Sequence, residues 1–174
     1  RLCGWKGRFL NMTISLKHMG RRTGAVLVSL LLLLMLAVSA SAAAVKMTVG
    51  VRFWRESGDK ESMADSAVDT TREATLTRQP NGTFTLELPV KQLSSMNMTG
   101  RLTGIAIGEV NYDGTLSGDL SDGTAVLTLK NLPASVLTGS DSSKALAVTC
   151  SIKMDTILLG DITTSAKMSI WVER

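Results

Sequence analysis

The chain has 174 residues, enough for one domain and a leader. Its formal net charge is +4, but six of the 19 Lys and Arg, and none of the 15 Asp and Glu, lie in residues 1–42. The rest carries 13 basic and 15 acidic residues, a balance of −2, so nothing in its charge argues for nucleic-acid binding. The sole His, His18, falls before residue 43, so residues 43–174 can assemble no Ser-His-Asp, Cys-His or His/Cys zinc set.

In chain order, residues 1–18 read as an upstream extension or a misassigned start, and residues 19–42 as a secretory signal peptide. Arg21 and Arg22 form its basic region, Ala25–Val38 an apolar run broken by Ser29, and Ala40-Ser41-Ala42 an A-x-A cleavage site. That run has 14 residues, and a membrane span needs roughly 20. A retained signal anchor is the alternative. The expected location is secreted or at the cell surface. Of Cys3 and Cys150 only the second survives cleavage, so no internal disulfide forms and a buried apolar role is expected for Cys150.

Residues 43–174 read as one all-β domain. Val45 to Phe53 alternates apolar and polar residues without a break, the signature of a strand with one buried face. Residues 55–72 lose that period and hold at most one helical turn, around Met63 to Val68. Ala74 and Leu76 restart the alternation, Gln79-Pro80-Asn81-Gly82 is a turn, and Phe84, Leu86, Leu88 and Val90 form the returning face. Residues 93–101 read as a loop or irregular edge, Leu102 to Val110 as a weaker strand, and Asn111-Tyr112-Asp113-Gly114 as a turn. Three further strands carry Ala125–Leu129, Leu146–Met154 and Ala166–Val172. Seven or eight strands at this spacing predict an antiparallel immunoglobulin-like β-sandwich, with a small barrel as the alternative.

Signs of chemistry are sparse. The Asp residues sit in turns, where capping is commoner than Ca²⁺ ligation. Within residues 43–174 the aromatic residues Phe53, Trp54, Phe84, Tyr112 and Trp171 are too few to suggest a stacking platform. Methionine is the unusual component. Met47, Met154 and Met168 fall on apolar strand faces, whereas Met63, Met96 and Met98 fall between strands. A thioether there either packs or serves as a soft ligand for Cu(I) or haem iron.

The order of a first strand VKMTVGVRFW, a polar link, ESMADSAVD, then EATLT and PNGTFTLELPVK resembles the NEAT family, the haem-binding domains of Gram-positive surface proteins. The resemblance implies an immunoglobulin-like sandwich whose short Ser-Met helix overhangs a haem pocket. Ser62 and Met63 match the start of that helix. With Met168 and Ile170 they are the expected cofactor-binding residues, and haem the expected cofactor. No metal ligand is assigned. One departure is marked: haem-binding members coordinate iron through a Tyr near the end, with a second Tyr four residues on, and SAKMSIWVE contains none. Two functions follow, both non-catalytic. One is a secreted or cell-envelope binding module handling haem. The other is a structural or adhesive sandwich that binds a surface or extracellular protein and no haem.

Overall fold

The computed structural model describes residues 44–95, 98–155 and 160–173. The upstream extension, the signal peptide with its cleavage site, and Met96 lie outside these residues. One compact unit, Ala42–Arg174, contains every described strand.

The strands are β1 (Val45–Arg55), β2 (Ala74–Arg78), β3 (Phe84–Pro89), β4 (Leu93–Ser95) and β5 (Met98–Ile107). They continue with β6 (Val110–Asp113), β7 (Thr115–Ser117), β8 (Val126–Leu132), β9 (Leu146–Met154) and β10 (Asp161–Val172). All their pairings are antiparallel. The fold is an all-β, immunoglobulin-like sandwich. The helical turn expected near Met63 is a 3₁₀ helix, η1 (Met63–Ala67).

The two layers share β1. Val45–Val49 pairs with β2, and Val49–Arg55 pairs with β10. The first half of β1 thus begins the layer β1-β2-β3-β8-β7, and the second half begins β1-β10-β9-β5. The outer edge of β5 is covered by β4 over Met98–Gly100 and by β6 over Gly104–Ile107. The chain changes layers again between β6 and β7. Gly114 donates its N–H to the Thr103 carbonyl at 2.7 Å, and a Cβ there would strike the Leu127 side chain. Corner strands of this kind close the sides of a sandwich without leaving long unpaired edges.

Alternation then selects the core. Val49, Val51 and Phe53 of β1 meet Ala166, Met168 and Ile170 of β10, and all are at most 7% exposed. Cys150 is fully buried among them, and burial pushes its thiol up to about 12, which keeps it protonated and unreactive at neutral pH.

Two expectations change. Residues 93–101 supply β4 and the start of β5. The expected turn at 111–114 is strand β6 with the Gly114 crossing, and the reversal lies at Gly108 (φ 59°), ahead of Val110. Polar residues can form edge strands wherever a neighbouring strand supplies backbone partners, and residue type alone does not reveal that neighbour.

The turns follow local chemistry. In Asp69-Thr70-Thr71, Asn81-Gly82-Thr83, Asp119-Leu120-Ser121 and Asp122-Gly123-Thr124, the first side chain accepts from both the N–H and the hydroxyl of the third residue. These bonds hold the Asp69 and Asp119 carboxyls below the ordinary carboxylate range.

At the β1 corner, Gly50 lies opposite Trp171, and a Cβ at Gly50 would strike the indole ring. Gly50→Ala is expected to cost about 1–3 kcal/mol by overpacking. Thermal unfolding monitored by Trp fluorescence measures the cost, and most of it should disappear in a Trp171→Ala background.

Candidate functional site

The site grows from the corner in β1. In an antiparallel strand, alternate residues direct both backbone groups to the same edge. The odd residues of β1 face β2 as far as Val49. Two residues on, β2 has diverged and η1 takes its place. The Phe53 N–H donates to Asp65 Oδ1 at 2.7 Å, and the Ser62 N–H donates to the Phe53 carbonyl at 2.8 Å. Val51 lies between these arrangements, and its N–H and C=O have no protein partner among the described residues.

Ser62 organises η1 as its N-cap, its hydroxyl accepting from the Ala64 N–H at 3.4 Å. Ala64 and Ala67 are fully buried, so one side of η1 is packed into the core. Two recesses lie beside it. One, of about 260 Å³, is lined by Gly50, Val51 and Arg52, by Val68–Ala74, and by Trp171 and Glu173. The other, of about 310 Å³, is lined by Arg52, Glu61, Ser62, Asp65, Ser66 and Lys91. Both include Arg52, Val68 and Thr70.

Arg52 is the pivot of the site. Its Nη1 stands 3.5 Å from Glu61 Oε1, and its guanidinium lies over the Trp54 ring, 5.5 Å from the centroid. Its Nε is buried and donates to nothing among the described residues. Trp54 in turn donates its indole N–H to Ser169 Oγ at 2.9 Å, which covers Ser169 completely. The outer face of β1 and β10 therefore carries Trp54, Arg52 and Trp171 in a row.

Asp65 is 8% exposed. Burial raises its carboxyl above the ordinary value, and nearby Glu61 adds to the rise. The Phe53 N–H, Arg52 and Lys91 oppose it. By contrast, Asp69 is bound by Arg72 Nε at 2.8 Å, and Arg72 Nη2 also donates to the Ala125 carbonyl.

Neither recess beside η1 brings together the four residues expected to hold a cofactor. Ser62 is 7% exposed and serves as the cap, while Met63 is 40% exposed at the start of η1. Met168 and Ile170, expected to wall the pocket, instead lie on the core side of β10 with no exposure. Their outward neighbours are Lys167, Ser169 and Trp171, because strand parity sends alternate residues to opposite faces. Neither recess beside η1 is lined by Met63, Met168 or Ile170. Tyr112 belongs to β6 and lines a different hollow with Thr128 and Asn131.

What sequence reasoning missed is the Trp54–Arg52–Trp171 row. The alternation puts Trp54 and Arg52 on the outer face of their strand, and Trp171 on the outer face of its own. Only the β1–β10 register brings them together.

Among the described residues, no group of three or more His, Cys, Asp or Glu is placed to hold a metal ion. Nor is any described helix long and apolar enough to cross a membrane.

No protein-family model matches the chain, and no curated protein matches it. Among solved structures it is similar to the NEAT5 domain of IsdX2, a B. anthracis hemophore, in complex with haem. The TM-score is 0.47 at 9% identity, over 75% of this chain and 98% of that one. It is also similar to a point mutant of that domain, again with haem, with a TM-score of 0.48, the same identity and the same coverage.

Asp65 sets a testable pH dependence. Its folded pKa is raised, so its contribution to stability is fully present below the unfolded value, near 3.8, and is lost as pH rises through the folded value. Asp65→Asn keeps an acceptor for the Phe53 N–H and removes the buried charge. Relative to the native chain, the variant should therefore be favoured more at pH 7 than at pH 3.5, as read from urea melts at the two values.

Proposed function

We propose that this chain is an exported, non-catalytic binding module whose ligand sits at the open edge of β1. The observation that carries this reading is the gap at Val51. There the edge of β1 that faced β2 has lost that strand and not yet met η1, and a backbone donor and acceptor face a recess with Arg52 and Trp171 on its walls. A concave site with a few unpaired polar groups beside aromatic surface is the ordinary form of a ligand site. Two of the nearby titratable groups are engaged in the fold: Asp65 holds β1, and Asp69 holds Arg72.

Haem is the ligand implied by the sequence resemblance and the one bound in the solved NEAT5 domains. For this chain we favour a surface or extracellular ligand other than haem, a reading that shares the absence of haem with the adhesive sandwich but does not require its protein partner. Met63 is the exposed thioether of η1, with no apolar wall at Met168 and Ile170 to complete a pocket. A haemin titration separates the readings. The expected result is no shifted Soret band at stoichiometric haemin, with Met63→Ala behaving like the native chain. A shifted band abolished by Met63→Ala would make Met63 the iron ligand and restore the haem reading.

Export rests on Arg21-Arg22, the apolar run and Ala40-Ser41-Ala42. The mass of the product recovered outside the cell should correspond to a chain beginning at Ala43. An intact leader would contradict the secretory reading.

A further inference from the structure

We propose that the recess between Gly50–Arg52 and Thr70–Glu73 is a subsite for one neutral pyranose ring of an extracellular glycan. The inference rests on the binding-module reading above and names the ligand class for the same site.

Three observations select this class. The first is size. At about 260 Å³ the recess falls just below the ordinary range of ligand clefts, about 300 to 1,000 Å³, so it suits a single ring better than a tetrapyrrole.

The second is the balance of hydrogen-bonding groups. The unpaired donor is the Val51 N–H and the unpaired backbone acceptor is the Val51 C=O; the Arg52 Nε–H is also unpaired but is fully buried. At the rim, Glu73 and Glu173 form no ion pair among the described residues and add carboxylate acceptors. Arg72 is committed to Asp69 and to the Ala125 carbonyl. An anion would meet two carboxylates at the rim, and a cation would meet Arg52. A neutral polyhydroxyl ring both donates and accepts, so it can satisfy the Val51 groups and the rim carboxylates without introducing charge.

The third is the wall. Trp171 is held across Gly50, half-buried, and offers a rigid indole surface to the recess. The weakly positive C–H groups of a pyranose face complement the negative face of an aromatic ring. A partner protein adding a strand would need a run of free edge residues, and here the free edge is Val51 alone, between the β2 pairing at Val49 and the η1 bonds at Phe53.

The test uses the full chain with N-acetylglucosamine, mannose and galactose as probes at millimolar concentration. It is read by saturation-transfer NMR on the sugar and by amide shifts at Gly50–Arg52. Acetate and N-methylacetamide serve as non-sugar probes. The variants are Glu73→Gln, a surface change, and Arg52→Lys, which keeps a cation over Trp54 but removes the guanidinium that lines the recess. At least one sugar should receive saturation and move the Val51 amide, and each variant should weaken its binding roughly threefold to tenfold, the worth of one hydrogen bond. Circular dichroism melts report whether the variants remain folded. Sugar binding that is equally strong in both folded variants would overturn the proposal. So would shifts produced by the non-sugar probes alone, which would leave the recess a ligand site of another class. If no probe moves the Gly50–Arg52 amides, the subsite and the binding-module reading fail together.

Discussion

The structure depends on one strand serving two sheets. At Val49 the hydrogen bonds of β1 pass from β2 to β10, and the chain stays extended through the change. Joining the layers in this way protects their edges. It also leaves, on the side β2 has vacated, backbone groups that must find new partners or face solvent. Asp65 and Ser62 satisfy those of Phe53. Nothing described satisfies those of Val51. The corner that closes the sandwich is thus also the origin of the recess beside Trp171. Gly50 makes both compatible, because the Trp171 ring occupies the place its side chain would take.

The link between β1 and β2 performs structural work with polar atoms. Ser62 caps η1, Ala64 and Ala67 fill the core beneath it, and Asp65 ties it to β1. Burying a carboxylate is costly unless its charge is met. Asp65 receives one short backbone bond and the distant field of Arg52 and Lys91, with Glu61 opposing. The edge of β1 is therefore held by an arrangement that gains less at neutral pH than an uncharged one would. Arg52 is under-satisfied in a similar way, with a buried Nε lacking an acceptor. Incompletely satisfied polar groups cluster where a structure is shaped for something other than its own stability.

Much of the fold is legible in the sequence because its cause is local. A period of two identifies the long strands, and Val49, Phe53, Leu86, Cys150 and Ile152 are buried as the alternation requires. The turns are legible too, since an Asp or Asn bonds its own backbone two residues on. Where polar residues form strands, as in β4 and β6, the legibility ends, because those strands exist through their partner β5. The candidate site was legible only in its first element, the Ser62-Met63 turn. Treating Met168 and Ile170 as pocket walls followed their apolar character, but in a sandwich the apolar face of a strand is the one already consumed by the core.

By itself the sequence determined the class of fold, the position of the short helix, the fate of Cys150 and the absence of His from residues 43–174. Each follows from composition or from neighbours a few residues apart. Tertiary structure decided where β1 changes layers, that the Val51 backbone groups on the β2 side are left without a partner, and that Trp54, Arg52 and Trp171 share a face. Those outcomes depend on the register between β1 and β10, whose contacting side chains, such as Trp54 and Ser169, stand 115 positions apart. Alternation specifies which residues share the face of one strand. It carries no information about which residue of a distant strand will lie alongside, and that pairing is what builds the recess.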